Sequence, residues 1–171
     1  MGEHWSQSRE RVAFHEIGHA VVDYERFGIA SECVVAQIDG EWIGQTPPLP
    51  IKTPIVEMTR QQQLDFTAGL FGGWAAVHLA IKSGLLPSEP AGVEEVAGDR
   101  GYHGDANSDA RLVARISEIA DPDDPAGFAE SARALALDTL CDRMTVVAEL
   151  AAQLGDLGML CSDDLAAALS T

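Results

Sequence analysis

Apolar residues in the first half of the chain follow two rhythms. Phe14, Ile17, Val21 and Tyr24 recur at intervals of three, four and three within "RVAFHEIGHAVVDYERFG", the spacing that lays one apolar stripe along an α-helix. Gly28 predicts the end of that helix, because glycine readily takes the left-handed conformation that closes one. Over residues 32–46 the pattern changes: Val34, Val35, Ile38, Trp42 and Ile43 surround the turn-like "DGEW" and predict a short hairpin or edge strand. "PPLPIKTP" (47–54) then continues in extended form as a connector. Thr59 with Gln62 three residues later makes a capping box for a helix from about residue 60 to 82. Gly69, Gly72 and Gly73 inside that helix are costly unless a neighbour packs closely, and the 11–28 helix, which carries its own Gly18, is the expected neighbour. A Pro/Gly-rich stretch (84–107) reads as a long loop, after which Leu112, Val113, Ile116 and Ile119 predict another helix, capped by Asn107 or Ser108. "DPDDPAG" (121–127) stops that helix and starts the next. The fold class expected is mainly α with a short β-hairpin or edge strand.

Composition narrows the function classes. With 171 residues and 46% apolar content the chain suits one domain over 1–171. A net charge of −16, with no Lys/Arg cluster to offset it, repels nucleic-acid phosphates and anionic membrane surfaces. Neither nucleic acid nor membrane is expected as a partner. The N-terminus lacks a basic segment followed by an apolar run, and no apolar stretch approaches about 18 residues, so a cytoplasmic location is expected. Cys33, Cys141 and Cys161 are an odd number without paired spacing, which fits a reducing compartment, and they read as small buried apolar residues. Trp5, Trp42 and Trp74 fall in three separate elements and read as core filling, Trp42 also standing near the edge strand that could line a substrate pocket.

The chemistry concentrates in the first helix. His15 and His19 are four apart, so their imidazoles stack on one helix face and can reach a single zinc ion. Glu16 lies roughly 100° further round, placed to accept a proton from an activated water without ligating. Catalytic zinc normally has three protein ligands, so one is missing. His103, Asp105 and Asp109 lie just before or at the start of the 112–119 helix. Asp109 is the favoured choice because the first turn of a helix is rigid, although a first-turn aspartate also serves simply to complement the helix dipole.

These residues carry a resemblance. "VAFHEIGHAVV" looks like the zinc helix of the FtsH-type peptidase domain, the proteolytic half of the ATP-dependent AAA proteases. "SECVVAQIDGEWIGQT" resembles that family's following strand, with Gly44 and Thr46 in its Gly-x-Thr; "GLFGGWAAVHLA" is similar to its Gly-Gly-x-x-Ala helix; and "NSDARLVARI" is similar to the segment whose aspartate, here Asp109, is the third zinc ligand. "LDTLCDRMTVVAELAAQLGDLGMLCSDDLAAAL" is similar to its closing helices, the last short and capped by Ser162. The resemblance implies a helical peptidase domain, zinc held by His15, His19 and Asp109, peptide-bond hydrolysis, and a hexameric ring. It departs from the family in two respects. No glycine-rich phosphate loop ending in Lys-Ser/Thr occurs, so any ATP-driven unfolding has to come from a separate ATPase chain. Val77 and His78 stand where the family continues its glycine helix with acids, which leaves His78, like His103 and Asp105, an alternative ligand.

The expected mechanism is a zinc-dependent metalloendopeptidase acting on unfolded proteins or peptides. In it Glu16 is the general base, and the strand around 34–46, through Gly44 and Thr46, binds the substrate backbone. Two other readings stay open: a regulatory metallopeptidase that cleaves one specific partner, and a catalytically inactive zinc-binding interaction domain. Glu16 speaks against the last, since a structural site needs no base and is usually closed by four protein ligands.

Overall fold

The structure of the chain, a computed structural model, describes residues 8–88 and 108–171. Helix α1 (Arg9–Phe27) starts at Ser8, whose side chain accepts a hydrogen bond from the Arg11 N–H, and ends at Gly28 with φ 68°. Strands β1 (Cys33–Ile38) and β2 (Glu41–Gln45) form the hairpin. Asp39 (φ 53°) and Gly40 (φ 86°) make its tight turn, two consecutive left-handed residues whose twist suits the strands. Residues 46–54 carry no regular structure, and Ile55–Glu57 form a single 3₁₀ turn. Helix α2 (Arg60–Lys82) opens on the capping box: Gln62 N–H to Thr59 Oγ1 and Thr59 N–H to Gln62 Oε1 are both present.

Helices α3 (Asp109–Ala120) and α4 (Pro125–Cys141) are joined by the acidic turn, where the Asp124 side chain accepts from Gly127 N–H and Pro125 occupies the first helical turn. Helix α5 (Met144–Leu157), strand β3 (Met159–Leu160) and helix α6 (Ser162–Leu169) follow. The sheet is antiparallel with order β2-β1-β3: Val35 faces Gly44 on one side, and Cys33 faces Leu160 on the other. The described chain is mainly helical with this small sheet.

Helices α1 and α2 pack backbone against backbone. A Cβ on Gly72 would lie 2.8 Å from the Gly18 carbonyl carbon and 3.0 Å from the His19 Cα, so only glycine permits the approach. Around this pair, Ile17, Val21, Ala76 and Ala80 join Leu140, Leu150, Leu154 and Leu165 in one hydrophobic cluster. Such burial is the dominant stabilising term, about 25 cal/mol per Å² of apolar surface. Contrary to the expectation that no apolar stretch approaches a membrane-spanning length, helix α2 is long and apolar enough, by length and composition, to cross a membrane; its glycines and alanines are only weakly apolar, so no unbroken apolar run marks it. More than half of that stretch is buried inside the protein.

Several expectations change. Ser162 is the first helical residue of α6, not its cap; the cap position is Cys161, and its thiol turns to Asp164 Oδ2 at 3.0 Å. Ser108 holds the cap position of α3 without a side-chain capping bond, and Asn107 lies outside the described residues. In α3, Val113 and Ile116 are buried, but Ile119 turns outward and Ser117 is buried instead. The cysteines are free, yet only Cys33 is buried; Cys141 is exposed and Cys161 half-buried. Trp42 and Trp74 are half-buried against the core rather than within it, and Trp5, like the stretch 89–107, lies outside the described residues.

Candidate metal centre

The helical period brings the two imidazoles of α1 together, and the fold adds one carboxylate from the far side of the chain. His15 Nε2 and His19 Nε2 are 3.0 Å apart, and Asp109 Oδ2 lies 3.3 Å from the second and 3.7 Å from the first. A four-coordinate metal with bonds near 2.0–2.1 Å holds its ligands about 3.3 Å apart. The three atoms thus have the size of one face of a coordination tetrahedron, and the group could hold a metal ion. Among the described residues no other such group of histidine, cysteine or acidic side chains occurs. His78 is not part of it: the ring is exposed and stacks on Trp74, with centroids 5.1 Å apart. His103 and Asp105 lie outside the described residues.

Each ligand candidate is held by what surrounds it. His19 Nδ1 lies 2.8 Å from the Gly69 carbonyl oxygen. A carbonyl only accepts, so Nδ1 carries a proton, and Nε2 is the nitrogen turned toward His15 and Asp109. Both rings pack against the α2 backbone at Gly73, edge to face with each other at 80°, and a Cβ there would stand 2.6 Å from His15 Nδ1 and from His19 Nε2. Asp109 projects from the first turn of α3.

The electrostatics favour a cation. Burial works against a charge on His19, but the Asp109 carboxylate outweighs it and raises the imidazole well above its ordinary range. Burial would also push Asp109 up; the two histidines override it and hold the carboxyl well below the usual carboxylate range. A proton therefore sits among the same three groups that a metal would take, and metal binding has to displace it. One turn beyond His19, Asp23 packs its Oδ1 against Gly69, and burial, with Asp109 adding to it and His19 opposing, raises its pKa to about 6. Asp23 escaped the sequence reading although its signal was there: it continues the i, i+4 row of His15 and His19.

Glu16 points away from the triangle's α2 side and toward the hairpin. Its carboxylate Oε2 accepts a hydrogen bond from Thr46 Oγ1 at 2.7 Å, and the side chain lies against Gly44, where a Cβ would stand 2.6 Å from its Cδ. Gly44 and Thr46, expected to bind substrate, are therefore both in contact with Glu16. No local signal reveals this, because the partners are 28 and 30 residues apart in sequence. Cys33 lies beside them, its thiol 3.5 Å from Thr46 Oγ1. Burial pushes that thiol up to about 12, so it stays protonated and is no nucleophile.

The chain matches no protein-family model and no curated protein.

Proposed function

We propose that the protein is a zinc-dependent metalloendopeptidase, similar to the FtsH-type peptidase domain, that hydrolyses peptide bonds in unfolded proteins or peptides. The observation that supports this reading best is the His15, His19 and Asp109 triangle of tetrahedral size with the Glu16 carboxylate on the neighbouring turn face. Two nitrogens and one carboxylate oxygen suit zinc and leave a fourth position open, as catalytic sites require. Zinc, when bound, supplies a Lewis acid that polarises the scissile carbonyl and makes a water acidic enough to attack it.

The chain's own residues do the rest. Asp109 and the two histidines fix the ion's position, and the Gly69 carbonyl sets the His19 ring so that Nε2 faces it. Glu16 takes the proton of the attacking water and delivers it to the departing amine. Strand β2 lies at the edge of the sheet beside Glu16, where an extended peptide can add as a further strand. An ATPase can supply unfolded substrate, and copies assemble in a ring; a monomeric mass in solution would count against the ring.

The test is metal content by elemental analysis of wild type and Glu16→Gln, beside cleavage of casein. The expected result is one zinc per chain in both proteins, with cleavage lowered about 10²–10⁴-fold by the substitution. Protein that binds no zinc, or Glu16→Gln that cleaves as well as wild type, overturns the reading.

A further inference from the structure

A glutamate side chain has three rotatable bonds, yet a general base must stand within hydrogen-bond reach of one water in one place. The α1 backbone restricts the first of those torsions for Glu16. The hairpin constrains the side chain beyond it from two directions. Gly44 removes the Cβ that would otherwise occupy the space of the Glu16 side chain, with only 2.6 Å left to its Cδ. Thr46 Oγ1 then fastens one carboxylate oxygen, Oε2, at 2.7 Å, while no described residue donates a hydrogen bond to Oε1. The hairpin thus touches both carboxylate oxygens: Thr46 bonds Oε2, and Oε1 lies against Gly44.

The hydroxyl has competing neighbours, which decides what it is doing. Thr46 Oγ1 is also 3.2 Å from the Glu16 main-chain oxygen and 3.5 Å from Cys33 Sγ. It has one proton to give. The contact with the carboxylate, at 2.7 Å against 3.2 Å, is the better of the two donations. The Cys33 thiol, which stays protonated, can donate to the oxygen lone pairs of Thr46 and leave that proton for Glu16. Glu16 itself is almost wholly buried, where a misplaced carboxylate finds few other partners.

We infer that Thr46 is the positioning residue for the Glu16 carboxylate, with Gly44 providing its seat, so that these two hairpin residues act on the base rather than on the substrate. This inference rests on the metallopeptidase reading for its catalytic consequence, and on geometry alone for the contact.

Three variants separate it from its rivals. Thr46→Val keeps the shape and loses the hydroxyl, Thr46→Ser keeps the hydroxyl, and Glu16→Gln marks the carboxylate. In zinc-loaded, 13C-labelled protein the Glu16 Cδ resonance, identified by its loss in Glu16→Gln, is expected to be unchanged in Thr46→Ser and shifted in Thr46→Val. With casein, Thr46→Val is expected to lower kcat on the order of 10- to 100-fold with zinc content and KM unchanged, and Thr46→Ser to restore most of it. A raised KM at unchanged kcat would return Thr46 to the substrate and overturn the inference. An unshifted Cδ resonance in Thr46→Val would overturn it too, whatever the activity. Should wild type with zinc fail to cleave, the peptidase reading falls, and the resonance still decides whether Thr46 holds Glu16.

Discussion

Helix α1 is held on two sides by different means. Toward α2 the contact is backbone against backbone: Gly18 meets Gly72, and both imidazoles lie on Gly73, with the Gly69 carbonyl fixing the tautomer of His19. Toward the hairpin the contact is one glycine and one hydroxyl on a single carboxylate, Gly44 and Thr46 against Glu16. The first grip is between two long helices, and on the α2 side it is glycine backbone that sets it. The second comes from the edge strand of a three-stranded sheet. On the proposed metallopeptidase reading, the ion's position is fixed by rigid packing, whereas the general base is aimed by an element that a peptide substrate would itself extend.

The sharpest way to break the comparison is to add one methyl on each side. Gly73→Ala places a Cβ within 2.6 Å of His15 Nδ1 and His19 Nε2, so metal binding and all turnover are expected to be lost together, as elemental analysis and casein cleavage would show. Gly44→Ala intrudes first on Glu16, which supplies the nearest atoms to the added Cβ. It is expected to keep full metal content while turnover falls about 10- to 100-fold. If both variants lost metal, or neither did, the two grips would not be separate.

How far this division was legible in the sequence follows from the range of the contacts that make it. His15, Glu16 and His19 share one turn, and the Thr59–Gln62 box lies within four residues, so local periodicity and capping chemistry suffice to find them. The glycines of α2 announced a close neighbour, since their cost in a helix needs a reason, and the neighbour is α1. The work of Gly44 and Thr46 was hidden because it depends on how the hairpin lies across α1, which no spacing encodes. Asp109 is an intermediate case: its place in a first helical turn was readable, whereas its meeting with His15 and His19 is tertiary. The Cys161 cap shows a local rule failing, because the serine expected there is drawn into the first turn beside Asp163 and Asp164.

A smaller effect sharpens the helix-to-helix side. Asp23, buried against Gly69, has its pKa raised from 3.8 to about 6. The folded chain therefore binds this proton more tightly than the unfolded chain, and stability is lost as pH rises from about 4 through 6. In metal-free protein, Asp23→Asn is expected to raise stability by up to about 3 kcal/mol at pH 8 and to change it little at pH 4. Urea unfolding at the two pH values measures this, and an equal effect at both would show that the carboxylate is not confined in its ionised form.

The sheet order has a consequence in time. Strand β1 pairs on one side with β2, which carries Gly44, and on the other with Leu160, and the Val35 N–H is bonded to the Gly158 carbonyl. A ribosome delivers His15, Glu16 and His19 early, Asp109 only after some ninety further residues, and the segment that braces the hairpin only when residue 160 has emerged. Contacts of such long sequence separation form late. A half-made chain therefore carries His15, Glu16 and His19 before it has Asp109 to meet them or the strand pairing that braces the hairpin.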